Sequence, residues 1–102
     1  MGNKSGYSII VSSRAQKELA ESWAWYEDRL PGLGHRFVSE VLKCIRQIEE
    51  NPDRFPTKFK SYKEAQVKTF PFLVICRINK KTSSVRVVSL FHTARSHRKK
   101  YK

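Results

Sequence analysis

Acidic residues are scarce in this sequence, with nine Asp and Glu against 21 Lys and Arg, so the net charge is +12. Self-repulsion at such a charge works against the compact state and favours a polyanionic or acidic partner. Ordinary domains carry much smaller net charges, so a surface that is basic only for solubility is the less favoured interpretation. The composition therefore indicates a nucleic acid or an acidic protein as partner.

Long apolar runs are also absent, since no stretch approaches the roughly 18 apolar residues of a membrane span. The first residues lack the apolar segment of a signal peptide, so we expect a cytoplasmic protein with no membrane partner. Cysteine is limited to Cys44 and Cys76, whose spacing fits no metal site, and no cofactor motif occurs. Their apolar surroundings favour buried reduced thiols, and a disulfide between them stays open.

The 102 residues, 39% of them hydrophobic, suit one small domain over 1–102. Residues 1–6 are expected to be a flexible N-terminus, and 96–102 a basic C-terminal tail. The run Tyr7–Ser12 is rich in strand-forming residues and predicts a first strand. Ser12 or Ser13 can then cap a helix through its hydroxyl.

Two helices follow, joined by a short link. Leu19, Trp23, Tyr26 and Leu30 recur at helical spacing, and Pro31-Gly32 ends that helix. Trp25 falls off the stripe, and we favour packing at the helix edge over a docking surface. A second helix is predicted from after Gly34 to about Glu50, with Phe37, Val41, Cys44 and Ile48 on its apolar stripe. The short link predicts an antiparallel hairpin of helices.

The rest of the chain predicts an antiparallel sheet. Residues 53–63 suit a loop or a distorted edge, with Phe55-Pro56 and Tyr62 folding back onto the core. Strands are predicted near 65–69, 72–78 and 85–91, the middle one apolar at nearly every position and therefore covered on both faces. The order β-αα-βββ, a helical hairpin packed on a small sheet, is an α+β domain.

The end of the final predicted strand changes character abruptly. His92 and Arg95 follow it and lead into the tail 96–102, which contains no acidic residue. Imidazole, guanidinium, ammonium and phenol groups suit the binding or processing of phosphates, and they equally suit docking to an acidic protein.

The chain resembles the RelE/ParE superfamily of type II toxins over nearly its whole length, most strongly in the ParE-like branch. The order and spacing of several short pieces carry this resemblance: Tyr7–Val11 with Ala15 and Leu19, Trp25-Tyr26, Gly32-Leu33-Gly34 with Phe37, Asn51-Pro52, Phe55-Pro56, Phe70-Pro71-Phe72 and His92–Arg95. The resemblance implies a small cytoplasmic toxin that inhibits growth when free. It also implies a cognate antitoxin as the resting partner.

Two branches of the superfamily differ in target. ParE-like members poison DNA gyrase, whereas RelE-like members cut mRNA in the ribosome. The Gly-Leu-Gly hairpin and the Phe-Pro-Phe strand start favour the ParE-like branch. So does the absence of the Arg-rich catalytic pattern, since Gln66 and Lys68 stand where Arg is common, and Ser96-His97 follows Arg95.

If the protein is RelE-like, the resemblance implies a catalytic set of His92, Arg95 and Tyr101. RNA cleavage by 2′-OH attack needs a base, a cation at the phosphate and an acid for the leaving oxygen. His92 could serve as base or acid, and Tyr101 could act as acid or stack on a base. Arg95, Arg77 or Lys68 could hold the phosphate. His92 could equally bond to backbone at the end of the sheet.

Further cations are candidates for binding a nucleic acid or a protein target: Lys68, Arg77, Arg86, Arg98, Lys99 and Lys100. The alternative is that the strand arginines lie on the solvated side of the sheet and that the tail is solvated. A third function, a non-toxic basic module that binds nucleic acid, would need exposed aromatics among the cations.

Overall fold

The structure, a computed structural model, describes residues 7–94. Over that range the elements in chain order are β1 (Ser8–Val11), α1 (Ser13–Arg29), α2 (Leu33–Glu50), a 3₁₀ turn (Pro52–Arg54), β2 (Thr57–Phe59), β3 (Tyr62–Gln66), β4 (Phe72–Asn79) and β5 (Ser84–His92). The predicted first strand, helical hairpin and last two strands are confirmed. Neither helix combines the length and the apolar character that crossing a membrane requires.

The strands form one five-stranded sheet in the order β1-β5-β4-β3-β2. Strand β1 runs parallel to β5, and the other neighbours are antiparallel. The predicted α+β class and antiparallel-rich sheet are confirmed. A parallel pair of strands requires a long connection. Here the two helices and strands β2–β4 lie between β1 and β5 in the chain, which allows these two strands to pair in parallel.

The sheet differs from the prediction at its far edge. Residues 53–63, predicted as loop or distorted edge, contain strand β2 and the start of β3, paired through Phe59 and Tyr62. Strand β3 also ends at Gln66 instead of Thr69, and one further bond in the same register joins the Val67 N–H to the Phe72 carbonyl at 2.9 Å. Thr69 adopts a left-handed conformation, with φ of 77°, that no strand can contain.

The turn between the helices is held by one carboxylate. The Ser12 hydroxyl caps α1, but the residue that caps α2 is Gly32, with φ of 92° and no side chain to offer. Glu27 replaces it: its two oxygens accept the N–H groups of Gly32 at 2.8 Å and Gly34 at 2.9 Å. A Cβ on Gly34 would lie 2.8 Å from Glu27 Oε1 and from the Trp23 ring, so a larger residue there would displace the carboxylate or the ring.

Helix α2 consequently begins at Leu33, two residues earlier than predicted. A negative charge at this end also complements the partial positive charge of the helix N-terminus.

The core lies between the helical hairpin and one face of the sheet. Strand β4 is covered on both faces, as predicted: Val74 and Cys76 belong to the core cluster, while Ile75 between them is fully buried outside it. Cys44 and Cys76 are free buried thiols, as predicted, and burial raises the pKa of each to about 11. Such thiols are poor nucleophiles at neutral pH.

We predict that Glu27→Gln destabilises the protein above pH 4.5 and that the difference fades in acid. The hydrogen bonds from Gly32 and Gly34, with His35 nearby, lower the pKa of Glu27 below its ordinary value of 4.5. A lowered folded-state pKa contributes stability that is complete above the unfolded pKa and is lost as the pH falls through the folded pKa. Urea denaturation from neutral to acidic pH measures this.

Glu50→Gln, a change at an exposed glutamate on α2, is the matched control. It should shift the free energy of unfolding by less than about 0.5 kcal/mol. If the Glu27→Gln difference were the same at acidic and neutral pH, the assigned role of the carboxylate would be wrong.

Candidate functional site

His92 lies beside a groove between helix α1 and the start of strand β4. The groove has a volume of about 570 Å³. Its described lining consists of Glu21, Ser22, Trp25, Tyr26, Pro71, Phe72 and His92. Three aromatic side chains and a proline dominate this lining, and Glu21 brings the one carboxylate. Neither Lys nor Arg occurs among these seven residues.

Trp25 forms an exposed wall of the groove. Its side chain is 53% exposed although it is the largest type of apolar side chain. The ring packs edge-on against Tyr26 at 5.1 Å, and the Arg29 guanidinium lies 4.0 Å from its centroid. Trp25 therefore packs at the helix edge, as expected from the sequence, with only part of its side chain. A half-exposed tryptophan beside a groove suits a docking surface better, because such residues are enriched at interfaces.

His92 is held by contacts to backbone and to an aromatic ring. Its Nδ1 accepts the Ala94 N–H at 3.0 Å, and its ring meets Phe72 edge-on with centroids 4.9 Å apart. The neutral imidazole therefore carries its proton on Nε2. The bond to Ala94 is the backbone role considered for His92 from the sequence, and it leaves Nε2 as the nitrogen able to contact a ligand.

Helix α1 supplies the carboxylate that positions the end of β5. Glu18 Oε1 accepts the Leu90 N–H at 2.8 Å and the Ser89 hydroxyl at 2.9 Å, while Oε2 pairs with Arg14 at 3.2 Å. Strand β1 pairs with β5 only as far as Val87. Glu18 therefore supplies a hydrogen-bond acceptor to β5 beyond the end of β1, at Leu90, two residues before His92.

The backbone roles of Glu18 and Glu27 were not predicted from the sequence. Glu18 pairs with Arg14 one helical turn away and also accepts two bonds from β5. A signal was available for the groove: Glu21 and Trp25, like Ser22 and Tyr26, are four residues apart, which places the four on one side of helix α1.

Arg77 and Arg86 lie away from His92. They are directly opposite each other on β4 and β5, whereas His92 is opposite Phe72 at the other end of the same ladder. Six residues of strand separate Arg86 from His92, or about 20 Å. Both arginines are exposed on the face remote from the helices, since Val85 and Val87 flank Arg86 and belong to the core.

Lys68 also lies outside the groove. It lines a small recess against α2 together with Glu40, Lys43 and Gln47. Gln66, which stands where the superfamily often has Arg, has a backbone role: its Nε2 lies 3.0, 3.1 and 3.2 Å from the carbonyl oxygens of Val67, Phe70 and Phe72. This side chain holds the turn that starts the Phe-Pro-Phe strand.

The remaining predicted site residues fall outside 7–94, the range that the structure describes: Arg95, Arg98, Lys99, Lys100 and Tyr101. The predicted catalytic set is thus represented only by His92. Within the described range, no three His, Cys, Asp or Glu side chains are grouped as metal ligands would be. The groove can bury an apolar side chain of a ligand, with Glu21, Ser22 and His92 as polar contacts.

The sequence matches a known family over residues 9–97, described as the ParE toxin of the type II toxin–antitoxin system parDE. The chain belongs to this family of type II toxin–antitoxin toxins. The predicted RelE/ParE resemblance and its ParE-like assignment are therefore confirmed. Among curated proteins, none matches the sequence significantly.

Solved structures resemble the fold. A chain of the chromosomal ParDE toxin–antitoxin system from P. aeruginosa superposes with a TM-score of 0.74 at 11% identity, over 87% of this chain and 98% of that one. A chain of the archaeal RelE-RelB complex from Pyrococcus horikoshii OT3 gives a TM-score of 0.59 at 16% identity, over 89% and 99%. At these identities the likeness concerns the fold.

We predict that Glu18→Ala costs about 1–3 kcal/mol of unfolding free energy, because it leaves the Leu90 N–H and the buried Ser89 hydroxyl without their acceptor. Glu18→Gln keeps one acceptor oxygen and should cost less. Glu21→Ala, one turn further on the same helix and exposed, is the control, with an expected change below about 0.5 kcal/mol. Urea denaturation measures all three, and equal losses for Glu18→Ala and Glu21→Ala would contradict the role of Glu18.

Proposed function

We propose that this protein is a cytoplasmic toxin that inhibits growth when free, is neutralised by a cognate antitoxin and has DNA gyrase as its target. Family membership supports the toxin assignment. The observation that carries the choice of target is the groove beside His92, whose described lining is aromatic and lacks Lys and Arg. Such a surface suits binding to a protein rather than chemistry on a phosphate.

The positions of the described cations weaken the alternative of a ribosome-dependent mRNA nuclease. Cleavage requires a fixed positive charge at the phosphate within reach of the proton-transfer groups. Arg77 and Arg86 lie about 20 Å along the sheet from His92 and on its other face. Glu21 and His92 are the titratable acid and imidazole of the described groove lining, and neither Lys nor Arg stands beside them there to supply the fixed positive charge.

The proposed antitoxin suits the charge of the chain and the exposed aromatic wall. A net charge of +12 calls for a partner of opposite charge, and Trp25 offers an anchor that an apolar side chain can cover. The two similar structures come from a ParDE system and from a RelE-RelB complex, which supports a two-component arrangement for this chain as well.

The mRNA nuclease remains the second candidate, because the His92 imidazole stands at the end of β5 with Nε2 available and Arg95 three residues on. In that function His92, Arg95 and Tyr101 would be the catalytic groups.

We expect induced expression to arrest growth and co-expression of the adjacent reading frame to restore it. A supercoiling assay with purified gyrase and mapping of intracellular mRNA ends then separate the two targets. Inhibited supercoiling with intact mRNA supports the proposal, whereas cuts at codon boundaries with normal supercoiling support the nuclease. Absence of any toxicity would contradict both.

We predict that His92→Phe retains growth inhibition within about twofold. Phenylalanine preserves the edge-on packing against Phe72 but removes the imidazole, and a lost general acid or base typically reduces the rate by about 10²–10⁴-fold. Growth curves at matched protein levels measure the effect. Trp25→Ala is the comparison variant, since it removes contact area from the groove and should weaken toxicity or antitoxin rescue. Complete loss in His92→Phe, with a folded protein, would indicate catalysis.

A further inference from the structure

Two arginines face each other across the open side of the sheet. The register between β4 and β5 pairs Arg77 directly with Arg86, and it continues to Tyr62 on β3 and to Ile10 on β1. Directly opposite residues of an antiparallel pair have Cβ atoms about 4.5–5.5 Å apart, where like charges destabilise the sheet. The fold therefore retains a local repulsion that most substitutions would relieve.

The arginines also border a cavity at the β4–β5 turn. It has a volume of about 580 Å³, and its described lining includes Arg77, Arg86, Lys80, Lys81 and Asn79 and no Asp or Glu. Lys80 pairs with Asp53 at 3.2 Å, outside this lining. Within residues 7–94, neither guanidinium has a carboxylate partner. The charges of Arg77 and Arg86 are thus not compensated by a carboxylate from the described part of the chain, whereas that of Lys80 is.

Arg77 is partly preorganised. Its Nε donates to the Ser61 hydroxyl at 3.1 Å, and its guanidinium lies 5.2 Å from the centroid of the Tyr62 ring. Using Nε for this bond holds the planar group while sparing its terminal nitrogens, which are the ones that pair with two oxygens of a phosphate. An arginine already held in place loses less entropy when a ligand binds.

We propose that the Arg77–Arg86 cleft binds adjacent phosphodiester groups of a nucleic-acid backbone, without reading its sequence. The inference stands independently of the proposed toxin function and of the groove at His92. A nucleic-acid strand carries a negative charge about every 3.4 Å along its axis, so any stretch of it can serve two neighbouring arginines. An acidic protein segment can do so only where its sequence supplies adjacent carboxylates, and of the eight described residues that line the cleft only Ile10 and Ile78 are apolar.

The test is binding of the full-length protein to a fluorescent DNA duplex of about 20 base pairs, measured by anisotropy over a series of salt concentrations. An RNA strand of equal length is the second probe, and fluorescent polyglutamate is the third. The cleft variant is Arg77→Ala/Arg86→Ala. The control is Lys17→Ala/Arg36→Ala, which removes the same two charges from exposed positions on the helices.

For the cleft variant we expect affinity to fall about tenfold or more, and the slope of log K against log salt to decrease in magnitude by about 2, close to 0.9 for each phosphate contact. The control should change the slope by less than about half of that. Since the cleft variant removes a repulsion, its thermal stability should not fall, and Arg77→Lys/Arg86→Lys should restore most of the slope. The tighter of the DNA and RNA probes identifies the source of the phosphates.

Equal slopes for the cleft and control variants would overturn the proposal. So would loss of polyglutamate binding with nucleic-acid binding unchanged, because the cleft would then belong to an acidic protein. If the slope decreases as expected but expression is harmless, the proposed toxin function fails and the phosphate site stands.

Discussion

Contact among four aromatic rings joins the helices to the sheet, and the rest of the structure depends on it. Phe37 of α2 meets Tyr26 of α1, Phe70 and Phe72 at centroid distances of 5.0, 5.2 and 4.9 Å. Aromatic pairs in edge-on and tilted arrangements add about 0.5–1.5 kcal/mol beyond their buried area. The same rings set the position of the groove, since Tyr26 and Phe72 are shared between the core and its lining.

Sharing these rings ties recognition to stability. A ligand in the groove would rest on side chains that the core already holds in place, so little ordering entropy is lost on binding. Trp25 differs, because its side chain is 53% exposed and does not belong to the core cluster, although it contacts the Tyr26 ring and the Arg29 guanidinium. Its side chain can therefore adapt to a partner at little cost to the packing of the core.

The sequence predicted the fold well where periodicity is strong. The apolar stripe through Phe37, Val41 and Ile48 and the continuous apolar run of β4 each allow essentially one interpretation. The β2–β3 hairpin was missed because Thr57–Phe59 is three exposed residues long, and such an edge strand has no burial pattern to reveal it. Its pairing depends on a turn in which Lys60 adopts a left-handed conformation. Glycine usually marks such a turn in a sequence, and none occurs here.

The site was predicted less well, for a related reason. Glu18 accepts a bond from Leu90, 72 positions away, and a local pattern cannot reveal such a partner. Arg77 and Arg86 were recognised as candidates, but their separation from His92 follows from register and strand length, which emerge only in the assembled sheet. The types of residue thus indicated which chemistry is possible. Which groups lie close enough to act together depends on the sheet topology, which the sequence pattern did not reveal.

The parallel pairing of β1 with β5 also has a consequence for biosynthesis. The first strand of the sheet has the last strand as its sole strand neighbour among the described elements, and Ser8 is paired with Ser84. A nascent chain therefore cannot complete this sheet until residues 84–92 have left the ribosome, so this long-range pairing forms only after the other described elements have been synthesised. Until then the apolar side of β1 and the helices has no sheet to pack against. The rate of chain elongation therefore sets the earliest time at which the folded protein can form.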